Sequence, residues 1–303
     1  MSALRRVLIV GATGKQGGAV VDALLSSPNA ASFMIFAPTR DPQSASAQRL
    51  AAKSKNIKTV KGQMEDAQAI FKEIGEKIDT VFGVTIPSLK KSEKHIEEIQ
   101  GKSLVDAAVS NGVKNFVFTS VDRGGDKSDT DPTYVPHFAT KYNVEVYLKE
   151  KAKTSGMSWT ILRPVFFLDN LQPGFFGKVI ASCWAAMDSK KKLQVVSVKD
   201  VGIIGAKAII DPEQYKNRAL ALAGDELTFT EANEIFRANY AKNLPRTFDI
   251  LASGLKYMLT DIKLMFQWFS DSGCRADVVE CRRINPEMQT FQDWLKVTGK
   301  HQA

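Results

Sequence analysis

The sequence predicts an α/β fold: an open, doubly wound parallel sheet with helices on both faces and a smaller C-terminal α+β substrate or lid region. Three observations lead there. The first run, Val7-Leu8-Ile9-Val10, is continuously apolar, as in a parallel strand covered on both faces. Strand and helix patterns then alternate at the spacing that right-handed crossovers require. A glycine-punctuated turn closes the first strand. Ligands of such sheets bind beyond the carboxyl ends of the strands, and the candidate residues below gather at that edge.

The turn reads Gly11-Ala12-Thr13-Gly14-Lys15-Gln16-Gly17, with GxxGxxG spacing rather than the GxGxxG of many dehydrogenases. Gly11 permits the tight turn, Gly14 lets backbone approach a ligand, and Gly17 lets the next helix, over 14–25, sit close to the sheet. That helix would aim unpaired N–H groups and the positive end of its dipole at a phosphate. With a strand before it and a helix after it, the turn reads as a dinucleotide site, and Thr13, Lys15 and Gln16 join the three glycines as its contacts.

A second strand over 33–37 leads into Pro38-Thr39-Arg40-Asp41-Pro42. A site preferring NAD(H) usually carries an acid here for the ribose 2′-hydroxyl. Arg40 stands near that place and Lys15 lies in the glycine turn. Two converging cations suit a 2′-phosphate and favour NADP(H); in the alternative, Asp41 is the ribose ligand and both bases are surface residues. A third strand covers 57–61, a short helix 67–74, and a fourth strand 80–84, which ends near Thr85, Ile86 and Pro87. Gln63, Asp66 and Thr85, at the exits of strands three and four, are candidates for the adenine and ribose. A longer helix over 92–111 places Ile96, Ile99, Leu104, Ala107 and Ala108 on a mostly helical period and stops at Gly112. The fifth strand, 115–119, leaves Thr119 and Ser120 at its carboxyl end.

The polar stretch 121–136, with Gly124-Gly125 and several aspartates, reads either as a loop closing over a substrate or as a mobile connector. A helix over 138–155 and a sixth strand over 159–163 follow, and Pro164 stops the strand. Beyond it the alternation becomes irregular. Aromatic-rich 165–170 and 174–176 suit the apolar wall of a small-molecule pocket or core packing alike. Thr228-Phe229-Thr230-Glu231 is a capping box opening a helix to about 240. The segment 251–269 reads as an amphipathic helix with Leu255, Leu259, Ile262 and Phe266 along one side, broken by Lys256, Asp261 and Lys263. A final short helix over 291–297 carries Trp294. The chain divides into a nucleotide-binding core, 1–164, and a mixed C-terminal region, 165–303, interleaved with it.

Composition narrows the classes. The 303 residues carry 41 lysines and arginines against 33 acids, a formal net charge of +8. Nucleic-acid binders look like this, and so do proteins that bind a phosphorylated cofactor. The lysines are spread along the chain, Lys190-Lys191-Lys192 being a short solvated run, and no recognition motif accompanies the charge. Direct nucleic-acid binding is therefore not expected. Cys183, Cys274 and Cys281 lack metal-ligand spacing, and an odd count with no secretory leader points to reduced cytosolic thiols. No metal site is expected. No stretch reaches the ~18 uninterrupted apolar residues of a membrane span.

Short-chain dehydrogenases place a proton donor and a lysine four residues apart on a helix, so that both point at the cofactor. A literal YxxxK occurs at Tyr147-Leu148-Lys149-Glu150-Lys151, but Tyr147 comes ten residues after His137, about 15 Å deeper along the helix at ~1.5 Å per residue. The pair at the helix mouth is His137 and Lys141, again four apart. His137 can donate a proton near neutral pH, or can merely cap the helix or anchor its loop. Lys141 can hold the nicotinamide ribose and assist electrostatically, or only bind cofactor. Thr119 and Ser120 can orient a carbonyl or carboxamide.

Taken together, these motifs resemble the NmrA-like family of atypical short-chain dehydrogenases/reductases. Gly11 to Gly17 resembles its glycine motif, Pro136-His137-Phe138-Ala139-Thr140-Lys141 its helix entry, and Leu162-Arg163-Pro164 with Asn170 its sixth-strand exit. Met265-Phe266 and Asn285-Pro286 through Trp294-Leu295 resemble its C-terminal portion. The resemblance implies a Rossmann-type domain, NADP(H) as cofactor, with Pro164 and Phe166 beside it, and a cytosolic or nuclear location. It leaves two functions open: an NADPH-dependent reductase of a small carbonyl, enone, quinone or imine, or a nicotinamide redox sensor regulating a transcription factor or other protein partner. The oligomeric state, monomer or dimer, stays open. The departure from better-known dehydrogenases is the missing tyrosine at position 137.

Overall fold

The first strand, β1 (Arg5–Ile9), is buried at its carboxyl half and delivers the chain into the glycine turn. This computed structural model describes residues 4–86, 95–247 and 256–299. After the turn come α1 (Lys15–Leu25), β2 (Phe33–Thr39), α2 (Ala45–Ala51), β3 (Ile57–Lys61) and α3 (Ala67–Ile74). Then follow β4 (Thr80–Val84), α4 (Ile96–Ser110), β5 (Asn115–Thr119), α5 (Pro136–Ser155) and β6 (Ser158–Pro164). The expected strands and helices of this half are present, and β2 runs two residues longer than its apolar stretch. The short α2 follows Pro42 and is capped by the Ser44 hydroxyl; its seven residues are too few to display a helical period. Residues 92–94 of the expected fourth helix lie outside the described residues.

The irregular second half holds β7 (Phe166–Phe167), α6 (Phe175–Ala185), β8 (Leu193–Val196), α7 (Val198–Ile210), α8 (Pro212–Tyr215) and β9 (Arg218–Leu222). It continues with β10 (Asp225–Leu227), α9 (Phe229–Tyr240), α10 (Lys256–Asp271), α11 (Val278–Ile284) and α12 (Phe291–Thr298). Thr228 and Glu231 form the expected capping box at α9, and Thr290 with Asp293 forms a second at α12. Of the second expected apolar side, Ile262 and Phe266 are buried; Leu255 and the side chain of Leu259 lie outside the described residues.

Seven described strands form one parallel sheet in the order β3-β2-β1-β4-β5-β6-β9. The order reverses direction between β1 and β4, and that switch point opens a crevice at the carboxyl edge. Val7, Ile9, Phe82 and Leu162 pack with Val20, Val21 and Ile204 on the face covered by α1 and α7. Leu8, Val81, Phe116 and Phe118 pack with Ile70, Leu104 and Val144 on the opposite face. A smaller sheet, β10-β8-β7, joins an aromatic core of Phe138, Trp184, Phe236, Trp268 and Phe291. β9 follows residue 165 yet lies beside β6 at the edge of the main sheet, and α7 packs over its face.

Two local expectations are corrected. On α4 the buried residues are Glu97, Gly101, Leu104, Val105, Ala107 and Ala108, so the expected Leu104, Ala107 and Ala108 do face the core, whereas Ile99 is half exposed; close packing on Val144 of α5 at Gly101 sets the helix phase. The stretch 121–136 is neither lid nor free connector at its base, because Asp122 and Arg123 are fully buried. The Asp122 carboxylate accepts the N–H groups of Gly124, Gly125 and Arg275, and Arg123 bonds the carbonyls of Val121, Ser128 and Asp131. Among the described residues no helix is long and apolar enough to cross a membrane.

Candidate active site

The glycine turn is built as its spacing requires. Gly11 adopts φ +67°, the left-handed region open to glycine, and its carbonyl accepts the Gly14 N–H at 2.8 Å. A Cβ on Gly17 would lie 2.4 Å from the Gly11 carbonyl, so α1 can press against the turn only without a side chain there. Gly14 caps α1 with no side-chain hydrogen bond, and Thr13, Gly14 and Lys15 are exposed around it. Lys15 Nζ reaches the Asp169 carbonyl at 3.0 Å, and Arg40 is exposed at the end of β2. Neither cation forms an ion pair among the described residues.

The exits of β4 and β5 carry the second half of the site. Thr85, one residue past β4, donates its hydroxyl to Glu97 Oε1 at 2.8 Å and accepts from Lys141 Nζ at 3.2 Å. Lys141 Nζ lies 2.6 Å from Glu97 Oε1, while Thr140 Oγ1 donates to Glu97 Oε2 at 2.7 Å. Burial pushes the Glu97 carboxyl up, but Lys141, Thr140 and the neighbouring His137 outweigh it and hold the group below its ordinary value. Glu97 is thus ionised and takes three donors. The ammonium has three N–H groups, and two are engaged here.

His137, in the first turn of α5, places Nδ1 2.6 Å from Asp261 Oδ2 of α10, with 19% and 23% of the two side chains exposed. It provides no side-chain cap to its own helix. Tyr147 is elsewhere: its hydroxyl donates to Asp106 of α4 at 2.7 Å, and Lys151 meets the same carboxylate at 3.0 Å. That pair is a surface contact between α4 and α5, well along the helix from the sheet edge.

Ser120 requires a correction. Successive side chains of a strand point to opposite faces, and Ser120 faces α5, where its hydroxyl donates to buried Glu145. Arg123 at 3.0 Å and Arg163 at 2.5 Å complete the shell of that carboxylate. The cluster ties β5, β6 and α5 together beneath the site, and Ser120 belongs to it. Thr119 faces the other way, fully buried, and its hydroxyl has no hydrogen-bond partner among the described residues.

The remaining candidates divide. Gln63 is exposed at the β3 exit. The Asp66 side chain caps α3 through the Ala69 N–H, a local role that occupies one carboxylate oxygen. Pro164 ends β6 opposite Leu222. The Phe166 ring packs against Phe266 and Phe269 at 5.8 and 6.1 Å, so it is core to the C-terminal region rather than an open wall. Glu97 and Asp261 were missed by sequence reasoning. For Glu97 a signal existed, since it lies on the i, i+4, i+7 stripe with Gly101 and Leu104, where a charge demands a partner. Asp261 showed only as a break in an apolar run.

These residues fit a dinucleotide. The turn leaves a cradle that a Cβ on Gly14 would narrow, that Cβ meeting the Gly11 carbonyl at 3.2 Å. Among the buried polar atoms without a partner in the described residues are Gln16 Oε1 and Thr119 Oγ1, as expected where a bound polar molecule completes them. Gly14 to Gly17 would take the pyrophosphate and Lys141 the ribose nearest the reacting ring.

The sequence profile described as the NmrA-like family matches residues 4–295. The chain is 30% identical over 290 residues to the NmrA-like family domain-containing oxidoreductase ptmS of Penicillium ochrochloron, covering 86% of this chain and 82% of that one. Among solved structures, it is similar to the triphenylmethane reductase of Citrobacter sp. complexed with NADP(H), at TM-score 0.74 and 16% identity over 97% of this chain and 99% of that one. It is also similar to NmrA, a negative transcriptional regulator, in complex with NADP, at TM-score 0.70 and 18% identity over 97% and 94%. At these identities the structural likenesses speak to the fold.

Proposed function

The chain belongs to the NmrA-like family, and on that premise we propose that it is an NADP(H)-binding oxidoreductase acting on a small carbonyl, enone, quinone or imine. One observation carries the reading. His137 and Lys141 stand four residues apart at the mouth of α5, a proton donor and a cation at the carboxyl edge that the glycine turn also borders. Reduced nicotinamide would supply a hydride there, and His137 would supply the proton. Lys141, held in place by Glu97 at 2.6 Å, would orient the ribose with its remaining N–H. Lys15 and Arg40 would meet the 2′-phosphate. The oxidoreductase name of the Penicillium relative supports this reading.

A second reading is an NADP(H) redox sensor that regulates a transcription factor or other protein partner. The absence of a tyrosine at position 137 and the likeness to a regulator bound to NADP favour it. NADPH consumption at 340 nm against a panel of quinones, aldehydes, enones and imines separates the two. Turnover that is lost in Lys141→Ala supports the enzyme. Tight NADPH binding without turnover, with recovery of a specific protein partner, supports the sensor.

A further inference from the structure

We propose that His137 and Asp261 form a proton-donating dyad in which Asp261, a positioning residue from the C-terminal region, dictates that Nε2 is the nitrogen that gives the proton. The inference rests on the reductase reading and adds to it a residue outside the nucleotide-binding core.

The geometry begins with α10. Trp268 and Phe269 pack on Phe138, with ring centroids 5.3 and 6.3 Å away, and Phe266 and Phe269 pack on Phe166 at 5.8 and 6.1 Å. These rings clamp α10 across the start of α5. Asp261 lies seven residues before Trp268, two turns up the same face, and so is delivered onto the side chain that precedes Phe138. The contact is Nδ1 to Oδ2 at 2.6 Å, set off the line of the Nδ1–H bond, and neither Nδ1 nor Asp261 Oδ1 has another partner among the described residues. A bare ring lone pair facing a carboxylate oxygen at that distance would be repelled, so the proton is assigned to Nδ1, and the second ring nitrogen is left to act on a ligand. Behind the ring, Glu97 and Lys141 hold each other at 2.6 Å, and the Thr140 hydroxyl that donates to Glu97 lies 3.1 Å from the His137 carbonyl. Among the described residues, the charged groups around the imidazole are therefore Asp261 from α10, Glu97 from α4 and Lys141 from α5.

The step balances with the imidazole starting doubly protonated. A bound reduced cofactor would supply hydride to the substrate carbon, and the C=O π pair would move onto oxygen. Nε2 gives its proton to that oxygen, leaving a neutral ring with its remaining proton on Nδ1 facing Asp261. A proton from water restores Nε2. An aspartate that kept the proton on Nδ1 would also keep the imidazole aimed through the step.

The test uses the full chain with 15N-labelled imidazoles. It has three histidines, and the signals of His137 are those absent from His137→Gln. In the unsubstituted protein, with the imidazole singly protonated, Nδ1 should be the protonated nitrogen. Asp261→Ala should move the proton to Nε2, lower kcat by about 10²-fold, and leave NADPH affinity within about twofold; Asp261→Glu should restore part of the rate. A bare Nδ1 in the unsubstituted protein overturns the dyad, and so does turnover unchanged in Asp261→Ala. NADPH binding without turnover of any panel substrate overturns the reductase reading and the donor role with it. That outcome is distinct from the first two, which leave the reading standing.

Discussion

Lys141 Nζ lies 2.6 Å from Glu97 Oε1, in a pair where the lysine is 9% exposed and the glutamate 1%. A cation this deep persists only with a counter-charge. The lysine at the mouth of α5 therefore cannot be understood from α5 alone; it is half of a pair whose other member begins α4.

Breaking that pair should cost more than removing it. Glu97→Gln leaves a buried ammonium without its counter-charge and should lower stability by about 3–5 kcal/mol. The double substitution Glu97→Leu with Lys141→Met should regain most of that loss in urea denaturation while NADPH binding weakens. Equal losses in the single and double variants would show that the ion pair is not what the site's stability depends on.

The same carboxylate gives stability a pH dependence. Its folded value lies below the ordinary glutamate value of 4.5, so the unfolded chain binds the proton more readily and stability rises with pH through that window. The contribution is fully present above about 4.5 and is lost as pH falls through the folded value. Urea midpoints measured between about pH 3 and 6 should flatten in Glu97→Gln. A slope unchanged by the substitution would contradict the assignment.

Gly14 and Gly17 should fail differently. Gly14→Val should abolish nucleotide binding while circular dichroism stays folded, because the added branch fills the phosphate cradle. Gly17→Ala places its Cβ 2.4 Å from backbone and should destabilise the fold by about 1–3 kcal/mol through overpacking. Normal cofactor affinity in Gly14→Val would displace the phosphate site.

Lys15→Ala with Arg40→Ala should erase a preference for NADP(H) and leave NAD(H) binding nearly unchanged, since both cations would act on the 2′-phosphate alone. Titration calorimetry with both cofactors decides it. Equal affinities in the unsubstituted protein would remove the basis for naming either residue.

Ser120→Ala removes one donor from Glu145 and should cost about 1 kcal/mol of stability, with turnover little changed. Tyr147→Phe should likewise spare turnover, because its hydroxyl serves Asp106. Turnover collapsing in Ser120→Ala without a change in melting temperature would return the serine to the chemistry.

The main sheet as far as β6 was legible in the chain itself. Buried parallel strands need unbroken apolar runs, and a turn that must adopt φ +67° at Gly11 calls for glycine, so both leave local marks. So do the Thr228–Glu231 cap and the separation of His137 from Tyr147, which follows from helix rise alone. What only the tertiary structure decided is who stands opposite whom. Ser120 and Thr119 look alike in sequence, yet strand alternation sends one to Glu145 and leaves the other's hydroxyl unpartnered. β9 lies beside β6 in the main sheet, and its five residues carry no sign of that address. Glu97 lies 44 residues before Lys141, and Asp261 lies 124 residues after His137, in a chain whose local patterns cannot encode such distances. Charge pairing between elements is set by helix phase and packing, and those exist only once the aromatic core has placed α10 over α5.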